Sequence, residues 1–229
     1  HALDLSSLGD SVRIAIVDDD EIIQELIMSA FADTKFSFDR YGNGRQFMDA
    51  ETGLESDLVF LDLMMPEMNG LQLLEELAIS APEIPVVIMT AFGTMEYAID
   101  AMKKGAADFI TKPIDLKYLQ KVMDRVLKRS ELEKKIKEQQ RQLEEDLTHA
   151  AGVQRCLLPD PIDTPHFIFQ YRFEPLIAIG GDGLTVHQYN PEKLAVSLYD
   201  VSGHGVSAAL TGSLVHNQLQ VRLAEMRPP

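Results

Sequence analysis

From residue 12 to about 127 short apolar runs alternate with amphipathic stretches. "VRIAIV" (12–17), "DLVFL" (57–61), "PVVIM" (85–89) and "ADFI" (107–110) have the length and composition of buried strands. "FSFDRY" (36–41) is more polar and suits a strand nearer one edge. Between these runs, residues 21–32, 44–51, 71–79, 94–104 and a stretch beginning near Asp115 carry helical periodicity. Strands and helices alternating at this spacing predict an α/β fold with a parallel sheet wound on both faces.

The pattern then changes. Residues 115 to about 157 contain no proline, and no glycine before Gly152, and they mix both charge signs throughout. Alternating steps of three and four from Leu119 reach Val122, Val126, Arg129, Glu133, Ile136, Gln140, Leu143, Leu147 and Ala150. This is a heptad seam with a polar middle, and it predicts a long helix that pairs with a second copy as a parallel coiled-coil dimer. From "LLPDPIDTP" (157–165) prolines stop the helix. "FIFQYRF" and "KLAVSLYD" alternate with the two-residue period of half-buried strands, which predicts the start of a β-rich region.

Charge and cysteine content narrow the function classes. The chain of 229 residues has 36 acidic against 21 basic side chains, a net charge of −15. That balance argues against a nucleic-acid partner, which needs basic faces to neutralise phosphate. A single cysteine, Cys156, cannot form an internal disulfide, which points to a reducing, cytoplasmic setting. No apolar run has the length of a membrane span, so no membrane partner is expected.

Polar residues cluster where the strands stop. Asp18, Asp19 and Asp20 follow "IAIV", Asp62 follows "LVFL", Thr90 follows "VVIM", and Lys112 follows "DFIT". In an open parallel sheet the carboxyl ends of the strands face one crevice. Carboxylates gathered there repel one another unless a cation intervenes, and a hard divalent ion with oxygen ligands, such as Mg²⁺, suits them. Asp20 and Glu21 read instead as acidic residues favouring a helix N-terminus.

"VDDDE", "FLDLMMPEMNG", "MTAFG" and "DFITKP", in that order, resemble the receiver domain of two-component response regulators across residues 12–127. The resemblance implies a flavodoxin-like five-stranded sheet and a phosphoryl group accepted by Asp62 from a histidine kinase. It also implies Mg²⁺ held by Asp19, Asp62 and the Met64 carbonyl, with Asp18 beside them acting through water. Lys112 would pair with the phosphoryl oxygens, Thr90 would hydrogen-bond one of them, and Phe109 would occupy the aromatic switch position. The Lys112–Pro113 bond is expected to be cis, to aim Lys112 back into the pocket.

Beyond a linker helix at 128–157, "IGGDGLTV" and "YDVSGHGVSAAL", preceded by "GVQRCLLP", resemble the sporulation-phosphatase-like branch of metal-dependent serine/threonine phosphatases. That likeness implies that residues 158–229 are the N-terminal part of an α+β phosphatase-type β-sandwich. Asp182, Asp200 and the Val201 carbonyl would be ligands of a two-metal centre holding Mn²⁺ or Mg²⁺, with His204 positioning or donating a proton. Many relatives carry a second aspartate where Thr185 stands, and the later metal-binding aspartates would fall past residue 229. The expected output is therefore a phosphatase acting on a phosphoprotein such as an anti-sigma-factor antagonist, complete only in a longer parent and inactive in these 229 residues. The alternative is a non-enzymatic adaptor that binds a sigma factor or another protein. A plain DNA-binding regulator is disfavoured by the acidic charge.

Overall fold

The structure, a computed structural model, describes residues 12–50, 52–91, 95–175 and 177–225. Its first part is an alternating series: β1 (Arg13–Val17), α1 (Glu21–Ala30), β2 (Ser37–Tyr41), α2 (Gly44–Asp49), β3 (Leu58–Asp62), α3 (Gly70–Ser80), β4 (Val86–Ala91), α4 (Met95–Lys103) and β5 (Asp108–Lys112). The strands form one parallel sheet in the order β2-β1-β3-β4-β5, the flavodoxin-like arrangement, with the more polar β2 at an edge. Glu51 and Thr94, at the ends of two expected helices, lie outside the described residues.

Strand side chains alternate between two apolar layers. Ile14, Ile16, Phe60, Met89 and Ile110 pack with Ile27 and Phe31 on one side of the sheet. Ala15, Val17, Val59, Leu61 and Ile88 pack with Phe47, Leu73 and Leu77 on the other. Burial on both faces explains why β3 reads as an unbroken apolar run. The sheet thus fixes the places at which Asp18, Asp62, Thr90 and Lys112 emerge, and the Lys112–Pro113 bond is cis.

The chain divides into two units, the first ending at Ile136 and the second beginning at Lys137. The helix α5 (Leu116–Leu157) is a single element of 42 residues. It corrects the expected seam at its start. Leu119, Val122 and Val126 are buried in the first apolar layer together with Met123 and Leu127, so they pack on the sheet and cannot face a second copy.

In the second unit, β6 (Ile162–Asp163) pairs with β7 (Ile168–Phe169), and β8 (Gly183–Asn190) forms an antiparallel hairpin with β9 (Lys193–Tyr199). The helix α6 (Val206–Glu225) packs on the hairpin, burying Ala208, Ala209, Gly212 and His216. The strand expected over "FIFQYRF" shrinks to the two residues of β7, because the rest finds no ladder partner among the described residues. Among the described residues, the β6–β7 pair and the β8–β9 hairpin, two separate two-stranded sheets, stand where the sandwich was expected.

Gly70 ties the fold to its crevice. It opens α3, donates its N–H to the Leu63 carbonyl (3.1 Å), and leaves no room for a Cβ, which would strike the Asp62 carbonyl oxygen and lie 2.8 Å from the Leu63 Cα. Gly70→Ala should therefore lower the unfolding free energy by about 1–3 kcal/mol, the usual range for overpacking. Urea titration checks this, and an unchanged midpoint would contradict the close approach.

Candidate functional site

Three strands deliver the charged groups. Asp18 follows β1, Asp62 ends β3 and Lys112 ends β5. The Lys112 Nζ donates to Asp18 Oδ2 at 2.8 Å and to Asp62 Oδ2 at 2.7 Å. The remaining oxygens take main-chain donors: Asp18 Oδ1 accepts from the Asp20 N–H at 2.9 Å, and Asp62 Oδ1 from the Met64 N–H at 3.1 Å. Asp18 is wholly buried, Asp62 nearly so, and Asp19 is exposed. Burial raises the Asp18 pKa above the ordinary carboxylate value, against the opposing pull of its bonds to Lys112 and the Asp20 N–H. For Lys112 burial acts downward, but the two carboxylates outweigh it and the net shift is upward.

Thr90, buried on β4, stands one residue before the strand end; Phe109 lies half-buried on β5, in register with Ile88. Asp20 caps α1, its Oδ1 accepting from the Ile22 N–H at 2.9 Å, as its place before a helix suggests. Oxygens of Asp18, Asp19 and Asp62 all lie within 4.8 Å of one another, which makes this trio a group able to hold a metal ion. An all-oxygen, multiply charged donor set fits Mg²⁺.

The motifs missed Gln24. It is buried on the apolar face of α1, one turn before Ile27, and its Nε2 donates to the Asp18 carbonyl at 2.7 Å and to the Tyr41 carbonyl at 3.3 Å. The available signal was a lone amide at an otherwise apolar helical position.

With this geometry in place, comparison with known proteins is decisive for the first unit. The family model of the response regulator receiver domain matches residues 14–124. Residues 14–124 form a response regulator receiver domain. Over this part the chain is similar to the regulatory protein AtoC of Escherichia coli, 34% identical across 55% of this chain and 27% of that protein. It is likewise similar to the DNA-binding transcriptional regulator NtrC of Klebsiella pneumoniae, 34% identical across 49% of this chain and 24% of the relative. Among solved structures, NtrX from Brucella abortus in complex with ADP aligns with a TM-score of 0.54 and 28% identity, covering 63% of this chain and 35% of that one. The chain thus spans about a quarter of the two relatives' length, and the shared part is the receiver.

These relatives overturn the expected serine/threonine phosphatase: they are regulatory and transcriptional proteins. Asp182 and Asp200 do meet across the β8–β9 hairpin, where their hydrogen bond, then a little burial and their mutual repulsion, raise the Asp182 pKa. The pair belongs to no group of three metal-binding side chains among the described residues, and Thr185 is buried where a further carboxylate would have stood. The Val201 carbonyl oxygen packs against Gly181, where an added Cβ would sit 2.5 Å from it, and His204 is exposed in the loop before α6. The Mn²⁺ or Mg²⁺ centre expected there is without support. Nor do relatives named as transcriptional regulators support the expected absence of a nucleic-acid partner. Among the described residues no helix is long and apolar enough to cross a membrane.

Lys112 is the cation that lets two buried carboxylates share the receiver crevice. Lys112→Met should cost about 3 kcal/mol of stability at neutral pH, as for other buried pairs broken on one side. Without the ammonium, burial acts with less opposition and the folded-state pKa of Asp18 rises further above its unfolded value. The folded form then binds protons more readily, so the deficit shrinks as the pH falls toward about 4 and grows as it rises. Denaturant titrations of both proteins from acid to neutral pH measure this; a deficit independent of pH would contradict the assignment.

Proposed function

We propose that this chain is a phosphorylation-dependent response regulator whose Asp62 accepts a phosphoryl group from a histidine kinase. The observation that carries the reading is the convergence of Asp18, Asp62 and Lys112 at three strand ends, with Asp19 completing a cation-binding trio. Asp19, Asp62 and the Met64 carbonyl would hold Mg²⁺, with Asp18 reaching it through water. The bound ion supplies charge neutralisation at the phosphoryl oxygens.

The chain's own groups do the rest. An oxygen of the Asp62 carboxylate attacks the phosphorus in line, the new O–P bond forms, and the bond to the kinase histidine breaks. Lys112, already 2.7 Å from Asp62, pairs with the phosphoryl oxygens as charge spreads over them. The Thr90 hydroxyl donates to one such oxygen, and Phe109 repacks beside it as the switch.

The output is read as dimer control. Past Leu127 the later turns of α5 expose Leu132, Ile136 and Leu143, an apolar stripe suited to a second copy of the helix. Exposed Leu210 and Leu214, one turn apart on α6, offer a surface for a regulatory protein partner, which favours the non-enzymatic adaptor.

Incubation with a small acyl phosphate and Mg²⁺ should place an acid-stable, hydroxylamine-labile label on Asp62. The label should disappear in Asp62→Asn and on chelation of the metal; an undiminished label in the variant would refute the phosphoacceptor. Sedimentation should show a dimer that Ile136→Glu with Leu143→Glu converts to monomer. A monomeric parent at high concentration, with and without a phosphoryl mimic, would remove the coiled-coil dimer.

A further inference from the structure

We propose that Gln24 is a positioning residue for the ion and phosphoryl site, acting through the main chain of the Asp18–Asp19 turn. The inference rests on the reading of that site given above. β1 ends its pairing with β2 at Val17 and Tyr41, and the Asp18 N–H makes one further bond to the Tyr41 carbonyl at 3.1 Å. At that point the ladder stops, while the chain is still buried. The Asp18 carbonyl would be left without a strand partner in a place where an unpaired acceptor is costly. The Gln24 amide fills this gap, donating to Asp18 and also to Tyr41.

Gln24 is itself held close to the turn it supports. Asp20 caps α1, and the Gln24 N–H donates to the Asp20 carbonyl at 3.2 Å, so Gln24 lies in the first turn of the helix. Its side chain reaches back past the cap to residue 18, closing a short loop over both strand ends. With the carbonyl of Asp18 pinned, its carboxylate is directed inward to Lys112, while the next residue, Asp19, emerges exposed yet remains in the oxygen trio with Asp62. Two consecutive aspartates must part in this way if one is to meet the ammonium and the other an ion. An isosteric side chain without N–H would let the turn relax and loosen the trio, although no ligand atom had been removed.

The test uses the whole 229-residue chain and Mg²⁺ alone, by isothermal titration calorimetry. Gln24→Met keeps the length and apolar packing of the side chain but has no donor. It should weaken Mg²⁺ binding about tenfold or more, the usual loss when a group supporting metal ligands is removed. In acyl phosphate labelling, the Mg²⁺ concentration for half-maximal rate should rise by the same factor while the rate at saturating Mg²⁺ stays near that of the parent. Gln24→Arg, which returns an N–H donor, should recover most of the affinity. Ile27→Val, on the same helix face, should lower stability and leave the Mg²⁺ affinity unchanged. If Gln24→Met does not fold, Gln24→Leu, which likewise has no donor, carries the same test. Parent-like Mg²⁺ affinity in a folded Met or Leu variant would overturn the role of Gln24. A parent that binds no Mg²⁺ and takes no label would overturn the site reading itself.

Discussion

One ammonium group joins three strand ends. Lys112 sits between the Asp18 and Asp62 carboxylates, 94 and 50 residues away in the chain, and both are almost entirely out of water. Two buried carboxylates facing one another repel, and the ammonium between them offsets that repulsion. The parallel order β2-β1-β3-β4-β5 makes the meeting possible, because it aligns the carboxyl ends of β1, β3 and β5 on one rim. The apolar layers on both faces keep those strands in register, and so keep the three groups within hydrogen-bond reach.

The crevice is braced from the main chain as much as from side chains. Asp20 N–H and Met64 N–H orient the two carboxylates, Gly70 lets α3 start against the backbone of Asp62, and Gln24 closes the end of β1. Each brace comes from a loop or first helical turn directly after a strand, where the backbone leaves its ladder and its polar groups need new partners. The same geometry that satisfies those groups places the chemistry.

The receiver was legible in the sequence because its signals are local. Apolar runs of four to six residues mark the strands, and aspartates, threonine and lysine follow them at once, so topology alone brings Asp18, Asp62, Thr90 and Lys112 to one rim. Gln24 was not legible, since its function lies in two main-chain carbonyls that no motif spells out. The start of the heptad seam was misread for a related reason: Leu119, Val122 and Val126 satisfy a coiled-coil spacing and a sheet-packing face equally well, and only the sheet beside them decides. In the second unit, alternation over "FIFQYRF" marked residues able to form a strand but could not supply a partner, and a pair of glycine-flanked aspartates suggested a catalytic centre that the relatives do not share.

The outer turns of α5 have a property that their apolar stripe does not reveal. Lys135 pairs with Glu131, Arg129 with Glu133, and Arg141 with both Glu138 and Glu145, all at helical neighbour spacing and, Glu131 apart, largely in water. Such pairs each stabilise an exposed helix only slightly and weaken as salt is added. The electrolyte therefore tunes the outer turns slightly, whereas the turns near Leu119 owe their stability to burial in the apolar layer.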